Sequence, residues 1–129
     1  MKIYIASYFD TRKRLYPIKH QLEKLGFEVI SSWLHESKDV AYSSATEGYL
    51  LSCAIRDMAD IRESSLFILD TLDVTPRGGR EVELGLAIAG GKYIILVGPL
   101  RNVFHRLAHQ RFETWKDCLE FLKKEQIAL

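Results

Sequence analysis

The chain has 129 residues, 47% of them hydrophobic and 27% charged, with 18 Lys and Arg balanced against 17 Asp and Glu. This is the composition of one globular domain able to bury a core without metal or disulfide staples, and a net charge of +1 gives no reason to expect a nucleic acid polymer or an anionic membrane as partner. Cys53 and Cys118 stand far apart without CxxC spacing, and no run approaches the ~20 apolar residues of a membrane span, so a reducing, cytoplasmic setting is expected, with no disulfide scaffold or zinc site.

Residues 2–6 are β-branched and aromatic and predict an opening strand. Over residues 14–25, Leu15, Ile18, Leu22 and Leu25 recur at helical spacing. Pro17 restricts the start of that helix to the turn around it, and Gly26 stands where a left-handed cap would end it. Residues 27–30 predict a second strand, and the polar stretch 31–44, with its single Trp33, a loop. A longer helix is predicted over 46–62, where Leu51, Ala54, Ile55 and Met58 make an apolar stripe and Arg56, Asp57 and Asp60 lie off it. Residues 66–69 form a continuous apolar run, hence a buried strand ending at Asp70. Loop 71–79 leads into a mostly apolar helix over 80–89, stopped by Gly90 and Gly91, and residues 93–97 predict a fourth buried strand. A short strand near Arg111 and Phe112 precedes a last helix, which opens on Thr114 and Asp117 in the pattern of a capping box and buries Trp115, Leu119 and Leu122.

No repeat, low-complexity segment or linker divides residues 1–129, which therefore read as one domain. Strands apolar throughout and alternating with helices predict an α/β fold: a doubly wound, flavodoxin-like or Rossmann-like domain with a mainly parallel sheet of four to five strands. Such sheets bind ligands beyond the carboxyl ends of the strands where strand order reverses, between the first and third strands in a flavodoxin-like order. Loops 7–14 and 71–79 are thereby nominated.

Familiar uses of this architecture fail at those loops. GGK at residues 90–92 lies between a helix and a strand and is followed by Tyr93, so it is no Walker A loop; no GxGxxG follows the first strand, which continues ASYFDT. A phospho-receiver would need paired acids at the end of the first strand, and here Asp70 alone ends the third. His105 and His109 have i, i+4 spacing but neither an HExxH glutamate nor an evident third ligand, so an exposed helix or loop is expected there and no metal.

The informative segment is TPRGGREVELGLAIAGGKYIILVGP, in which a Gly-rich turn feeds a helix with Glu81 and Glu83 expected in its first turn. Backbone N–H groups there favour anions, so such a carboxylate should stay ionised, as a nucleophile or ligand-orienting acid must. Glu83 lies near Ala87 and Gly90, a strip of small residues, and Glu81 lies nearer the exposed start; both also read simply as favourable first-turn charges.

Together with the opening IYIASYF and the passage RDMADIRESSLFILD, this segment resembles the nucleoside 2-deoxyribosyltransferase family, including its relatives that hydrolyse deoxynucleoside 5′-monophosphates. The resemblance implies Glu83 as nucleophile and Asp57 as the acid contacting sugar and base, with Asp60 a competitor for that role. It implies Tyr4 as the residue holding the glutamate, Ser7, Tyr8 and Phe9 as the loop wrapping the substrate, and the Gly-rich turn at Gly79 as part of the pocket. Trp33 is either a second wall of the base pocket or a loop anchor. Asn102 follows the fourth strand, where relatives reach into a neighbouring subunit's site.

The chemistry so implied is attack of a carboxylate on the anomeric carbon as the carbon–nitrogen bond breaks, followed by transfer of the deoxyribosyl group to another base or to water, without metal or organic cofactor. Six residues before the glutamate, where transferases carry an acid and the monophosphate hydrolases a Ser, stands Arg77. With Arg80, and with Arg12, Lys13 and Arg14 near the other loop, it could hold a 5′-phosphate. The expected partners are a small nucleoside or nucleotide and a free base, in nucleotide salvage, with a homodimer or larger homo-oligomer. A monophosphate N-hydrolase and a non-catalytic nucleotide-binding module are the alternatives.

Overall fold

In the computed structural model, which describes residues 1–36 and 46–125, five strands succeed one another: β1 (Lys2–Ala6), β2 (Glu28–Val29), β3 (Leu66–Asp70), β4 (Tyr93–Val97) and β5 (Gln110–Phe112). All pair in parallel, in the order β2-β1-β3-β4-β5. Central β1, β3 and β4 bury nearly every side chain, which is why they read as unbroken apolar runs: both faces are covered by helices. Ile3 pairs with Leu66 and Ala6 with Leu69, while Leu66 pairs with Tyr93 and Asp70 with Val97, so three strands end level at one edge. The reversal of strand order falls between β1 and β3, as the flavodoxin-like reading requires.

Four helices complete the described fold: α1 (Tyr16–Lys24), α2 (Glu47–Glu63), α3 (Gly79–Ala89) and α4 (Trp115–Glu125). Right-handed crossovers put α1 and α4 together on one face of the sheet and α2 and α3 together on the other. The first helix starts two residues later than its spacing predicts, because residues Phe9–Leu15 form a 3-10 turn and Pro17 sits in the first helical turn. Gly26 follows it with φ of 98°, the left-handed position expected of a glycine stop. Thr46 caps α2 by accepting from the N–H of Tyr49 at 3.2 Å, and Thr114 accepts from Asp117 N–H at 3.2 Å before α4. Along α4 the buried residues are Trp115, Cys118 and Leu122, with Leu119 half-buried at the edge. No helix among the described residues is long and apolar enough to cross a membrane.

Two local readings change. The polar stretch after β2 is not loop throughout: Ser32–His35 form a 3-10 turn that buries Trp33 and Leu34, and the remainder of that predicted loop, residues 37–44, lies outside the described residues. On α2 the apolar stripe faces solvent, with Leu51 62% and Ile55 59% exposed, whereas Arg56, Asp57 and Asp60 are partly covered and Ile61 is buried against the sheet.

Candidate functional site

Beyond the carboxyl ends of β1 and β3, where the backbone leaves a crevice, the described residues enclose a cleft of about 270 Å³. It is lined by Ser7, Tyr8, Phe9, Trp33, Asp57, Thr75, Pro76, Arg77, Gly79, Arg80 and Glu83. Both nominated loops therefore border it, and the mid-helix residues Asp57 and Glu83 reach it from α2 and α3. Beneath them Tyr4, fully buried in β1 and stacked on Phe67 at 5.7 Å, donates its hydroxyl to Glu83 Oε2 at 2.7 Å. One Glu83 oxygen is thus fixed by a strand, and the carboxyl also faces that of Asp57.

The electrostatics differ from the expectation of an ionised first-turn carboxylate. With Gly78 as the cap and Gly79 the first helical residue, Glu81 lies in the first turn and Glu83 in the second, where the backbone N–H groups no longer reach it. Burial lifts the Glu83 pKa to about 8; the Tyr4 hydrogen bond pulls it down, while the neighbouring Asp57 carboxyl, close enough to share a proton, pushes it further up. Asp57 is also raised, chiefly by burial, against the pull of Arg56, whose Nε and Nη2 donate to Oδ1 at 3.3 and 3.2 Å. Two carboxyls so placed hold one proton between them at neutral pH. Tyr4 itself is raised, by burial first and then by Glu83, so its hydroxyl stays a donor.

Aromatic walls flank this pair. Trp33 donates its indole N–H to the carbonyl of Ile5 at 2.7 Å and lies 6.3 Å from the half-buried Phe9, so it is both an anchor and a wall. Arg12 covers one face of Phe9 at 4.2 Å from the ring centroid. On the polar side, Ser7 Oγ is buried without a hydrogen-bond partner among the described residues. Arg80, 5% exposed, donates through Nη1 to the carbonyls of Asp70 and Asp73 at 3.1 and 2.8 Å, and its Nε is ion-paired with Glu81 Oε1 at 3.5 Å. The Ser7 hydroxyl, unsatisfied among the described residues, is open to a polar ligand at the cleft wall.

A charged brace that sequence spacing does not reveal joins the two loops. Asp70, fully buried at the end of β3, accepts from Arg14 Nη1 and Nη2 at 2.9 and 3.2 Å, from Trp115 Nε1 at 2.7 Å and from Leu72 N–H at 3.0 Å. Asp73 accepts from Thr11 Oγ1 at 2.8 Å and Arg14 Nη2 at 2.9 Å. Gly98 belongs to the same junction: at φ of 122° a Cβ there would stand 2.5 Å from Thr71 Oγ1.

Most sequence-predicted site residues therefore meet in one cleft: Ser7, Tyr8, Phe9, Trp33, Asp57, Arg77, Gly79 and Glu83 line it, and Tyr4 supports it from below. Asp60 is elsewhere, its Oδ2 accepting the N–H of Ser32 at 3.0 Å, so of the two competing acids Asp57 is the one at the cleft. Asn102 also lies outside the lining; its Oδ1 accepts from the N–H groups of Phe104 and His105 and caps the 3-10 turn Val103–Leu107. Arg12 and Arg14 are engaged in the protein, Arg12 on the carbonyls of Glu36 and Phe9, and neither they nor Lys13 lines the cleft.

His105, expected to be exposed, is fully buried. Its Nδ1 accepts from Arg101 N–H at 3.0 Å, so Nε2 carries the proton and donates to Glu81 at 2.9 Å. His109 accepts from Ile94 N–H at 2.9 Å and stacks on Tyr93, so the two imidazoles serve different contacts. Glu81 is lowered: burial opposes this, but the hydrogen bonds from His105 and Asn102 outweigh it. No sequence motif marks Thr75 or Pro76 as part of the cleft, and for the Arg56 clamp on Asp57 the one sequence signal is the adjacency of the two residues on the charged side of α2.

No protein-family model and no curated protein matches the sequence. Solved structures do match. A 2-deoxyribosyltransferase from Bacillus psychrosaccharolyticus is similar with a TM-score of 0.76 at 24% identity, over 92% of this chain and 90% of that one. A CMP N-glycosidase from Clostridium botulinum is similar with a TM-score of 0.62 at 24% identity, over 96% and 99%. A conserved protein from Enterococcus faecalis gives a TM-score of 0.67 at 16% identity, over 97% and 98%. The likeness at these identities is one of backbone, and the chain shares with these proteins its fold: a five-stranded, all-parallel, flavodoxin-like α/β domain.

Proposed function

We propose that the protein cleaves the N-glycosidic bond of 2′-deoxyribonucleosides or their 5′-monophosphates through a glutamate nucleophile and passes the deoxyribosyl group to another base, as a member of the nucleoside 2-deoxyribosyltransferase family. The observation that carries the reading is the meeting of Tyr4, Asp57 and Glu83 in one cleft with aromatic walls. Support also comes from the fold shared with a 2-deoxyribosyltransferase and a CMP N-glycosidase.

The resting pair holds its proton mainly on Glu83, whose pKa of about 8 lies above neutrality. Shifting that proton to Asp57 makes a nucleophile and a general acid in one step, and the Tyr4 hydrogen bond favours the resulting Glu83 carboxylate. The Glu83 carboxylate attacks C1′ as the C1′–N bond breaks; the electron pair leaves with the base, which takes the proton from Asp57. In the second half a nitrogen of an acceptor base attacks C1′, the Glu83–C1′ bond breaks, and the acceptor's proton returns to Asp57. Phe9 and Trp33 give flat surfaces for the base.

A second reading is favoured by one feature, the polar end of the cleft. Arg77, Arg80 and the unpartnered Ser7 hydroxyl beside the amino end of α3 suit a 5′-phosphate, which points to the monophosphate N-hydrolase. Chromatography of deoxynucleosides and deoxynucleoside 5′-monophosphates, incubated with and without a second free base, separates the two. A new nucleoside formed only with added base is the expected result, and free base plus deoxyribose 5-phosphate from monophosphates alone would establish hydrolysis instead. If nothing in the panel turns over, a nucleotide-binding module takes first place.

A further inference from the structure

Arg56 pairs with its own chain neighbour, which a helix does not arrange by itself, because side chains of adjacent residues point about 100° apart. Its Nε and Nη2 both bond Asp57 Oδ1, at 3.3 and 3.2 Å, while Nη1 donates to Glu36 Oε2 at 3.1 Å. All three guanidinium nitrogens are therefore engaged, between an acid on α2 and one just after the Ser32–His35 turn. The Glu36 side chain is 15% exposed and that of Asp57 21%, so water screens these pairs little. The main chain of Glu36 is used as well. Its N–H donates to the Trp33 carbonyl at 3.2 Å and closes the turn that carries Trp33. Its carbonyl accepts from Arg12 Nε and Nη2 at 3.1 and 3.0 Å, the same guanidinium that covers Phe9. One residue thus bears on both aromatic walls and, through Arg56, on Asp57.

We infer that Glu36 and Arg56 are positioning residues for the proposed reaction: Glu36 holds Arg56 against Asp57, and its main chain holds Phe9 and Trp33, so the acid and the base it protonates share one support. This role rests on the reading of Asp57 as the acid at the cleft. Arg56 bonds the ionised form of Asp57, so it weakens that carboxyl's hold on the proton received from Glu83 and favours its passage to the leaving nitrogen. The Asp57 O–H bond breaks, an N–H bond forms on the base, and Asp57 returns to the carboxylate with which Arg56 pairs. Around Asp57 stand Asp60 and Arg56 on α2, Glu83 on α3 and Tyr4 on β1, while Tyr49 and Cys53 lie beside Glu36 and Arg56. Among these Arg56 is the one cation, and it lowers both carboxyls of the pair. Glu36 can act on the pair in two opposite ways. As a bare negative charge it would raise the carboxyls, and its loss would lower them. As the holder of Arg56 it lowers them, and its loss raises them.

Carboxyl carbon-13 NMR titration of the ligand-free chain, with Asp57 and Glu83 assigned from Asp57→Asn and Glu83→Gln, reads this sign without turnover. The positioning role and the proposed activity can therefore fail separately. Arg56→Met should move the upper midpoint of the pair, about 8 in the wild type, up by about one pH unit. Glu36→Met, which removes charge and acceptor together, should move it in the same direction by about half a unit or more. The double variant should lie within about 0.3 unit of Arg56→Met alone, since Glu36 acts through Arg56. Glu36→Ala gives the same sign and decides the test should Glu36→Met fail to fold. In turnover, kcat of Arg56→Met and Glu36→Met should fall about tenfold with KM within about twofold of wild type, because the Glu36 main chain that holds the walls is kept. The alkaline fall in kcat/KM should move up with the NMR midpoint. A midpoint that loss of the Glu36 side chain lowers or leaves in place would overturn the inference, as would an additive double variant.

Discussion

Tyr4, Glu83 and Asp57 show how position, and not a helix dipole, sets the protonation of a carboxyl group. Glu83 sits one residue beyond the reach of the first turn of α3, and burial keeps its proton to about pH 8. If Asp57 acts as the acid, the productive state of the pair has one proton. Then kcat/KM should fall above about pH 8, where that proton is lost, and residual activity of Asp57→Asn should instead rise with pH as Glu83 ionises. A wild-type profile that climbs through pH 8 to a plateau would show that water protonates the base. Stability carries the same signature with the sign fixed by linkage. Between its ordinary value of 4.5 and about 8, Glu83 keeps in the folded protein a proton the unfolded chain has released, so stability contributed by this group declines as pH rises through that window. Glu83→Gln should therefore melt about 5 °C above wild type at pH 8 and close to wild type at pH 4.5 in a thermal scan. Tyr4→Phe should lower kcat about 10- to 100-fold with little change in KM, since it removes one hydrogen bond to the proposed nucleophile. The residue types of this trio were legible from their segments; their protonation was not, because it depends on burial and on a neighbour from another helix.

Elements explain what remained hidden. The helix over residues 47–63 was legible from its spacing, yet its apolar stripe faces out and its charged side faces the sheet, because periodicity gives a face without saying which way it points. Likewise the Asp70 brace joins residues 56 and 45 positions apart in the chain, a distance no local pattern spans. Asp70→Asn should lower stability by about 2–4 kcal/mol in urea unfolding, since it weakens a buried charge satisfied by four hydrogen bonds, and should loosen both loops. The Gly-rich turn leads into α3, as its sequence implies. A Cβ at Gly79 would meet no protein atom, and its backbone is not in the left-handed region. Gly79→Ala should thus preserve or slightly raise stability, by up to about 1 kcal/mol, while raising KM severalfold by filling space in the cleft.

At the scale of the whole molecule, five parallel strands in the order β2-β1-β3-β4-β5 put Asp57 of α2, the amino end of α3 and the loops after β1 and β3 around one crevice. That arrangement was legible from unbroken apolar strands alternating with helices, since a parallel sheet covered on both faces leaves little else for such strands to do. In the proposed mechanism Glu83 becomes glycosylated within this crevice. The most direct measurement is intact-protein and peptide mass spectrometry after rapid acid quench of the protein incubated with a deoxynucleoside and no acceptor base. The expected result is one deoxyribosyl unit on the peptide containing Glu83, appearing with release of one equivalent of base and absent in Glu83→Gln. Base release at an undiminished rate by Glu83→Gln, or the adduct on another residue, would show that Glu83 is not the nucleophile.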